Sequence, residues 1–204
     1  HLGGLAKLQR RYGFDVYMDP VEVAHARRDH LQQADVRDIA PIAFRPRVLK
    51  WLAMVTPLGV LSRAGLPDAQ PFPDPLDLPG RPTPVAAHGH TDGHSAYLAA
   101  GGAVLVSGDA LVSGHPISTI TGPQCISDAF QHDVDEARRT VDAFTRLDAT
   151  VLFPGHGPIH RGPVAQAAQD PTVRARLEPT GGELVASTPD AFGGFLKQQE
   201  DILT

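Results

Sequence analysis

Residues 87–94 read AHGHTDGH, and this segment is the most informative one in the sequence about the fold. The segment sets three histidines and an aspartate between glycines, directly before an apolar run. Glycine lets a backbone turn sharply beside a ligand, and neutral imidazole is the commonest protein ligand for metals. Two comparable sites follow, each just beyond an apolar segment: Asp109 within SGDAL and His156 within FPGHG. Because strand ends meet at the rim of a sheet, these sites predict a metal centre there.

Composition limits the class of protein. The 204 residues are 42% hydrophobic and 20% charged, which predicts a folded domain with a buried core. A formal net charge of -5 argues against a general nucleic-acid binder. The single cysteine, Cys125, excludes an internal disulfide and fits a reducing compartment, so we expect a cytoplasmic protein. No apolar run approaches the ~20 residues that a membrane-spanning helix needs.

The N-terminal part predicts alternating helices and strands. Apolar spacing indicates a helix over 2–11, and alternation indicates a strand over 14–18. Asp19 and Pro20 then have the residue types of a helix cap and a first helical position, before a helix over 21–28. This order of helix, strand and helix is typical of an α/β layer fold.

The part after residue 85 predicts the same kind of layers. Two strands, 95–99 and 103–106, are joined by a hairpin at Gly101-Gly102. A helix is predicted over 133–147, and a buried strand over 150–153.

Two segments depart from this rhythm. Residues 41–84 are rich in proline, with a helix candidate at 48–64 and an irregular stretch at 71–75. We expect them to form an insertion that acts as a substrate lid, as a dimer contact in a homodimer, or as both. Residues 167–204 are predicted to form a C-terminal appendage.

The order of the motifs resembles a known superfamily. The sequence carries, in order, HLGGL at 1–5, GHTDGH at 89–94, SGDAL at 107–111 and PGHG at 154–157. This order resembles the metallo-β-lactamase superfamily, especially its glyoxalase II-like hydrolases. In that superfamily an H-x-H-x-D-H motif precedes Leu-Gly-Gly, so His1 resembles the last histidine of the motif, with H-x-H-x-D cut away. The resemblance covers residues 1–166 and implies an αββα sandwich whose first strands are missing or incomplete.

The resemblance also implies roles for five residues. His90 would bind the first metal, His1 and His156 the second, and Asp109 would bridge both. His94 matches a histidine that supports such ligands from behind. Zinc is the expected metal, two ions per intact site, with iron or manganese as alternatives. A metal-bound hydroxide would then hydrolyse a small thioester, lactone or ester, with Asp109 and His94 as the catalytic pair.

Departures from the superfamily pattern limit these expectations. True metallo-β-lactamases commonly carry cysteine or another residue at the bridging position, so Asp109 disfavours β-lactam hydrolysis. Without the upstream ligands, the first metal would retain only His90 and Asp109. We therefore expect the given chain to bind metal weakly and to be nearly inactive, whereas an intact parent would be active.

The same sequence features also admit functions other than this hydrolase. An iron-dependent sulfur (persulfide) dioxygenase uses the same fold, and a truncated or fused fragment would have no activity. A nuclease is the least favoured, because the chain is acidic and shows no added nucleic-acid-binding segment. Residues 88–94 could also mimic H-x-H-x-D-H with one extra residue. That reading is disfavoured, because no later Gly-His-Thr motif follows and HLGGL would be left unexplained.

The remaining histidines are expected to be ordinary solvated side chains. They are His25, His30, His115, His132 and His160. The tail, at 170–192, loosely resembles the C-terminal end of tricarboxylate-transporter-type solute-binding proteins. That resemblance implies a gene fusion and no solute binding, with a helix at 171–177 and a strand at 184–186.

Overall fold

The computed structural model describes residues 2–32, 34, 36–58 and 65–174. The strands in these ranges are β1 (Val16–Met18), β2 (Ala69–Pro71), β3 (Thr83–Ala86), β4 (Ser95–Ala99), β5 (Val104–Gly108), β6 (Val151–Pro154) and β7 (His160–Arg161). The helices are α1 (Leu2–Tyr12), α2 (Glu22–Arg27), α3 (Val36–Ile39), α4 (Pro46–Val55), α5 (Val134–Phe144), α6 (Val164–Gln169) and α7 (Pro171–Arg174). Short 3-10 turns occupy Ala40–Ile42, Thr56–Leu58, Ala100–Gly102 and Asp128–Phe130.

The main sheet has five strands in the order β3-β4-β5-β6-β7. The strand β4 is antiparallel to both β3 and β5, β5 and β6 run parallel, and β7 returns antiparallel to β6. The C-terminal ends of β3, β5 and β6 therefore meet the start of β4 at one edge of the sheet. We call this edge the site edge.

A single apolar core holds this sheet against α5. Leu105 of β5 and Leu152 of β6 are fully buried, and Val141 and Phe144 of α5 pack in the same cluster. The helix starts at a cap in which the Asp133 carboxylate accepts the main-chain N–H of Glu136 over 2.8 Å. The core gives the site edge a rigid base, because closely packed interiors deform little.

A smaller unit forms beside the main sheet. Its strands β1 and β2 pair in parallel, and its core is built from residues of α1, α2, these two strands and the segment just before β2. The buried members are Ala6, Val16, Ala26, Leu66 and Ala69.

The α/β layers predicted from the sequence are confirmed, including the helix at the N-terminus and the β4–β5 hairpin. Several bounds were wrong, and one strand was missed. The helix expected over 48–64 is α4, Pro46–Val55, with residues 59–64 outside the described ranges. The helix α2 begins at Glu22, because the Asp19 carboxylate accepts the N–H of Val21 in a preceding turn over 2.8 Å. The helix α5 ends at Phe144 rather than Leu147. The strand β2 was missed within the insertion, because the prolines dominated the pattern; Pro71 is tolerated as its last residue.

Several expectations stay predictions. The predicted strand at 184–186 and most of the predicted helix at 171–177 lie outside the described residues, where α7 covers only Pro171–Arg174. The domain boundaries at 41–84 and 167–204 and the missing first strands are not tested. No helix within the described ranges is long and apolar enough to cross a membrane.

Candidate metal centre

Three of the predicted ligands lie together at the site edge. Asp109 directly follows β5, and His156 follows the neighbouring strand β6. His90 lies in the connection from β3 to β4. Because β5 and β6 are parallel and β4 is antiparallel to β5, all three positions fall at the same end of the sheet. Sheet topology thus gathers residues that are far apart in sequence.

The carboxylate of Asp109 stands between two imidazoles. Nε2 of His90 lies 3.5 Å from Oδ2 of Asp109, and Nε2 of His156 lies 3.6 Å from Oδ1. These separations are too long for good hydrogen bonds. They match ligand atoms that share a cation: two donors bound to one tetrahedral zinc at about 2.1 Å stand about 3.4 Å apart. Asp109 itself is only 4% exposed.

The arrangement consists of two half-sites that share one carboxylate. One half-site pairs His90 with Oδ2 of Asp109, and the other pairs His156 with Oδ1. Among the residues that the structure describes, no three His, Cys, Asp or Glu side chains form a group that could hold one ion. His1, the predicted further ligand, lies outside the described residues, so its role stays a prediction.

The residues present fit a divalent metal. Imidazole and carboxylate are a normal ligand set for zinc, iron or manganese. The space around the carboxylate depends on Gly155, where a Cβ would stand 2.3 Å from Oδ1 of Asp109 and 3.0 Å from the backbone of Gly108. The N–H of Gly155 donates to the carbonyl of Gly108 over 2.8 Å, which fixes the two strand ends together.

His94 supports Asp109 through the main chain. Its Nδ1 donates to the carbonyl of Ala87 over 3.0 Å, and its Nε2 accepts the N–H of Asp109 over 3.2 Å. Both bonds form together only in the neutral ring with its proton on Nδ1. Gly108, at a φ of 54°, allows this contact, because a Cβ there would stand 2.6 Å from Nε2 of His94.

A family model identifies the superfamily to which the chain belongs. The family model of the metallo-beta-lactamase superfamily matches residues 1–156, which is more than half of the chain. The chain belongs to the metallo-β-lactamase superfamily. The expected fold class is confirmed by this match. The glyoxalase II-like subtype, the start within a motif and the solute-binding resemblance of the tail stay predictions.

Solved structures of the superfamily are similar at low sequence identity. The crystal structure of TTHA1623 in a di-iron-bound form is 19% identical, has a TM-score of 0.52, and aligns over 84% of this chain and 71% of that one. BLEG-1, a B3 metallo-β-lactamase, is 17% identical with a TM-score of 0.48 over 81% of this chain and 68% of that one. ST1585 from Sulfolobus tokodaii is 13% identical with a TM-score of 0.49, over 81% and 60%. Identities this low show the fold alone. No curated protein matches the chain.

Glu22 of α2 anchors the 87–94 loop. This role of Glu22 was not predicted from the sequence. Its Oε2 accepts the hydroxyl of Thr91 over 2.7 Å and the N–H of Gly93 over 3.2 Å. Its Oε1 accepts Nδ1–H of His25 over 2.7 Å, while Nε2 of His25 accepts the N–H of Gln32. Burial alone would raise the pKa of Glu22, but the hydrogen bonds from His25 and Thr91 outweigh it, and the net pKa is lowered.

The loop and α2 also fit closely by shape. A Cβ at Gly93 would stand 2.4 Å from the backbone nitrogen of Glu22. His25 is 6% exposed, so the expectation of a solvated side chain was wrong there. No local signal reveals this contact, because Glu22 and Thr91 are separated by 69 positions.

His115 was also wrongly expected to be solvated. Its ring stands edge-on to that of His156 at 4.9 Å between centroids, and it contacts the rings of Trp51 and Phe130. Burial lowers the pKa of His115 to about 4, helped by His156 and opposed by Asp109. The one available signal was its place six residues after Asp109, in the loop that leaves the same strand end.

Other polar residues of the 87–94 loop point to other partners. Nε2 of His88 lies 3.4 Å from Oδ2 of Asp19, and Oδ1 of Asp92 lies 3.5 Å from Nε2 of His132 at an exposed site. Because His88 faces Asp19 while Asp92 faces His132, the two side chains lie beside different partners, which disfavours the alternative in which both are ligands of one metal motif.

Proposed function

We propose that His90, Asp109 and His156 form a metal centre that hydrolyses a small thioester, lactone or ester. One observation carries the proposal: each oxygen of the buried Asp109 carboxylate faces a different imidazole, at a spacing suited to a shared cation. Membership of a superfamily composed mostly of metal-dependent hydrolases supports it.

The reaction is a simple hydrolysis. Bound divalent metal supplies an acidified water as nucleophile, so a protein nucleophile is not required. The water oxygen bonds to the acyl carbon while the bond from that carbon to sulfur or oxygen breaks. One water proton goes to the departing thiolate or alkoxide, and the other goes to solvent, leaving a carboxylate product. A lactone opens in the same way to a hydroxy acid.

The chain's own residues orient this chemistry. His94 fixes the main chain of Asp109, which limits the directions available to the carboxylate. Glu22 holds the loop that carries His90. Preorganised ligands matter because misplacement of a reacting group by about 1 Å can lower a rate by about 100-fold.

Zinc is the proposed metal, with iron or manganese as alternatives. TTHA1623 has been crystallised in a di-iron-bound form, which keeps iron a serious alternative for this chain. An iron-dependent persulfide dioxygenase is therefore the second candidate function, and an inactive fragment is the third. The homodimer, the cytoplasmic location and the small-molecule substrate stay predictions.

A metal-resolved assay separates these candidates. The protein is loaded with Zn²⁺ or Fe²⁺ in turn and assayed on thioesters, lactones, esters and a β-lactam, with oxygen uptake measured on a persulfide. We expect slow hydrolysis of at least one acyl class, because each half-site has only two described donors, and no hydrolysis of the β-lactam. The activity should be lost in His156→Ala and kept in His160→Ala, a histidine of β7 whose backbone pairs with Leu152 of β6. Oxygen uptake without hydrolysis would replace the hydrolase by the dioxygenase, and neither activity in the metal-loaded protein would support the inactive fragment.

A further inference from the structure

A cavity of about 510 Å³ adjoins the metal centre. It lies between the first turn of α4 and the loops of 115–128, and apolar side chains form much of its wall: Ile42, Val48, Ile117 and Ile126. Cavities that bind small molecules usually measure roughly 300–1,000 Å³ and are mainly apolar with a few polar groups. This one has the size and the lining for part of a small organic substrate.

One side chain connects the cavity with the metal centre. His115 lines the cavity, and its ring stands 4.9 Å from that of the ligand His156. A molecule in the cavity can therefore place one end beside the two half-sites.

Two arginines make part of the cavity wall basic. Arg45 and Arg47, at the start of α4, both line it. Nη1 of Arg47 donates to the carbonyl of Ser118 over 3.4 Å, which holds this guanidinium against the facing loop. Neither arginine forms an ion pair with a residue in the described part of the chain. The N-terminal end of α4 adds a partial positive charge in the same direction.

One carboxyl group opposes these charges. Asp128 lines the cavity, and burial raises its pKa, while the nearby Arg138 acts in the opposite sense. Arg138 also forms an ion pair with Asp135 at the surface. Two arginines against one carboxyl group leave the cavity net positive, which favours an anionic ligand.

We propose that this cavity binds the acyl part of the substrate and selects acyl groups that end in a carboxylate, held by Arg45 and Arg47. The apolar walls would cover the chain between the two ends, and the scissile carbonyl would lie beside His115 at the metal centre. The substrate role rests on the hydrolase proposed above. The preference of the cavity for an anion does not rest on the hydrolase, and it can be measured in the absence of turnover.

A binding experiment tests the anion preference directly. Trp51, the single tryptophan, contacts His115, so its fluorescence reports on the cavity wall. Hexanoate and hexanamide, which match in length and differ in charge, are titrated into the protein. Arg45→Gln and Arg47→Gln are compared with Lys50→Gln, a control on the same helix that does not line the cavity.

We expect hexanoate to bind more tightly than hexanamide, and each arginine variant to weaken hexanoate binding about fivefold without affecting hexanamide. Lys50→Gln should behave as the wild type, and added salt should weaken hexanoate binding only. If the hexanoate carboxylate bound the metal instead of the arginines, its affinity would be the same in the wild type and in all variants. Such binding would therefore not produce a loss of affinity confined to the arginine variants. Equal binding of both probes, no binding of either, or hexanoate binding unchanged in both arginine variants would overturn the proposal.

A kinetic comparison tests the substrate role. Thioesters of one thiol with an adipoyl group or its terminal amide differ only at the far end of the acyl chain. The ratio of their kcat/KM values should favour the adipoyl thioester and fall towards one in both arginine variants. Arginine-dependent hexanoate binding in a protein without turnover would reject the hydrolase and leave the anion site standing. Turnover with a ratio unchanged by the arginine variants would reject the cavity's substrate role.

Discussion

The main-chain N–H of Asp109 donates a hydrogen bond to Nε2 of His94 over 3.2 Å, while Nδ1 of the same ring donates to the carbonyl of Ala87. One imidazole thus ties the end of β5 to the end of β3. It makes the position of the carboxylate depend on a residue 15 positions earlier in the chain.

Removal of that ring should loosen the metal centre. His94→Ala is expected to lower metal affinity or activity about 10–100-fold, the usual cost of losing a residue that orients a metal ligand. His94→Gln should recover part of the loss, because its amide oxygen can accept the N–H of Asp109. Zinc titration and kcat/KM measure the effect. His160→Ala should have neither effect, and a fully active His94→Ala would remove His94 from the mechanism.

A shared carboxylate predicts unequal effects of the ligand substitutions on metal content. Asp109→Ala removes a donor from both half-sites, so it should lose both metals and all activity. His90→Ala and His156→Ala each remove a donor from one half-site, so each should lose one metal first as zinc is withdrawn. Elemental analysis during stepwise dialysis against a chelator measures this order. Equal losses in all three variants would argue against bridging.

Space beside the carboxylate can be removed without changing any ligand. In Gly155→Ala the new Cβ would stand 2.3 Å from Oδ1 of Asp109, so the carboxylate must shift and zinc affinity should fall at least about tenfold. Gly4→Ala is the control, because nothing lies within 4 Å of its added Cβ. That control should stabilise α1 by about 0.5–1 kcal/mol and leave zinc affinity unchanged. Normal zinc affinity in Gly155→Ala would show that the carboxylate has more room than this geometry gives it.

Glu22 should make stability depend on pH. Its pKa is lowered from the ordinary value of 4.5, so its charged form stabilises the fold above that pH, and this contribution disappears as the pH falls through the lowered pKa. Glu22→Gln should cost about 1–3 kcal/mol at pH 7, and the difference from the wild type should shrink in acid. Urea denaturation at several pH values measures it.

The control for this experiment is Glu136→Gln on α5. Glu136 pairs with Arg139 at the surface, and exposed ion pairs contribute at most about 1 kcal/mol. A constant difference between wild type and Glu22→Gln from pH 7 to pH 3 would contradict the role given to the charged carboxylate.

The places of the proposed ligands in the fold were predictable, because the local sequence marks the strand ends at which they lie. Asp109 and His156 follow apolar strands directly, and glycines mark the turns that follow. What the sequence hid depends on tertiary packing. Glu22 meets Thr91 only when α2 folds against the main sheet, and neither residue carries a local sign of the contact.

Two histidines in similar local sequences also show that tertiary contacts cannot be predicted from the local sequence. His94 and His115 both lie near glycines, yet only the motif order indicated a role for His94. His115 becomes half-buried against Trp51 and Phe130, which come from separate elements. Likewise β2 forms because it pairs with β1, although prolines lie at the end of β2 and in the residues that follow.

The central claim is that one carboxylate joins two metal sites. The most direct measurement is a crystal structure of the zinc-loaded protein with anomalous data collected on both sides of the zinc absorption edge. We expect two zinc peaks, one beside Nε2 of His90 and Oδ2 of Asp109, the other beside Nε2 of His156 and Oδ1 of Asp109. Zinc bound away from Asp109, or held by His90 and His156 with that carboxylate turned aside, would contradict it.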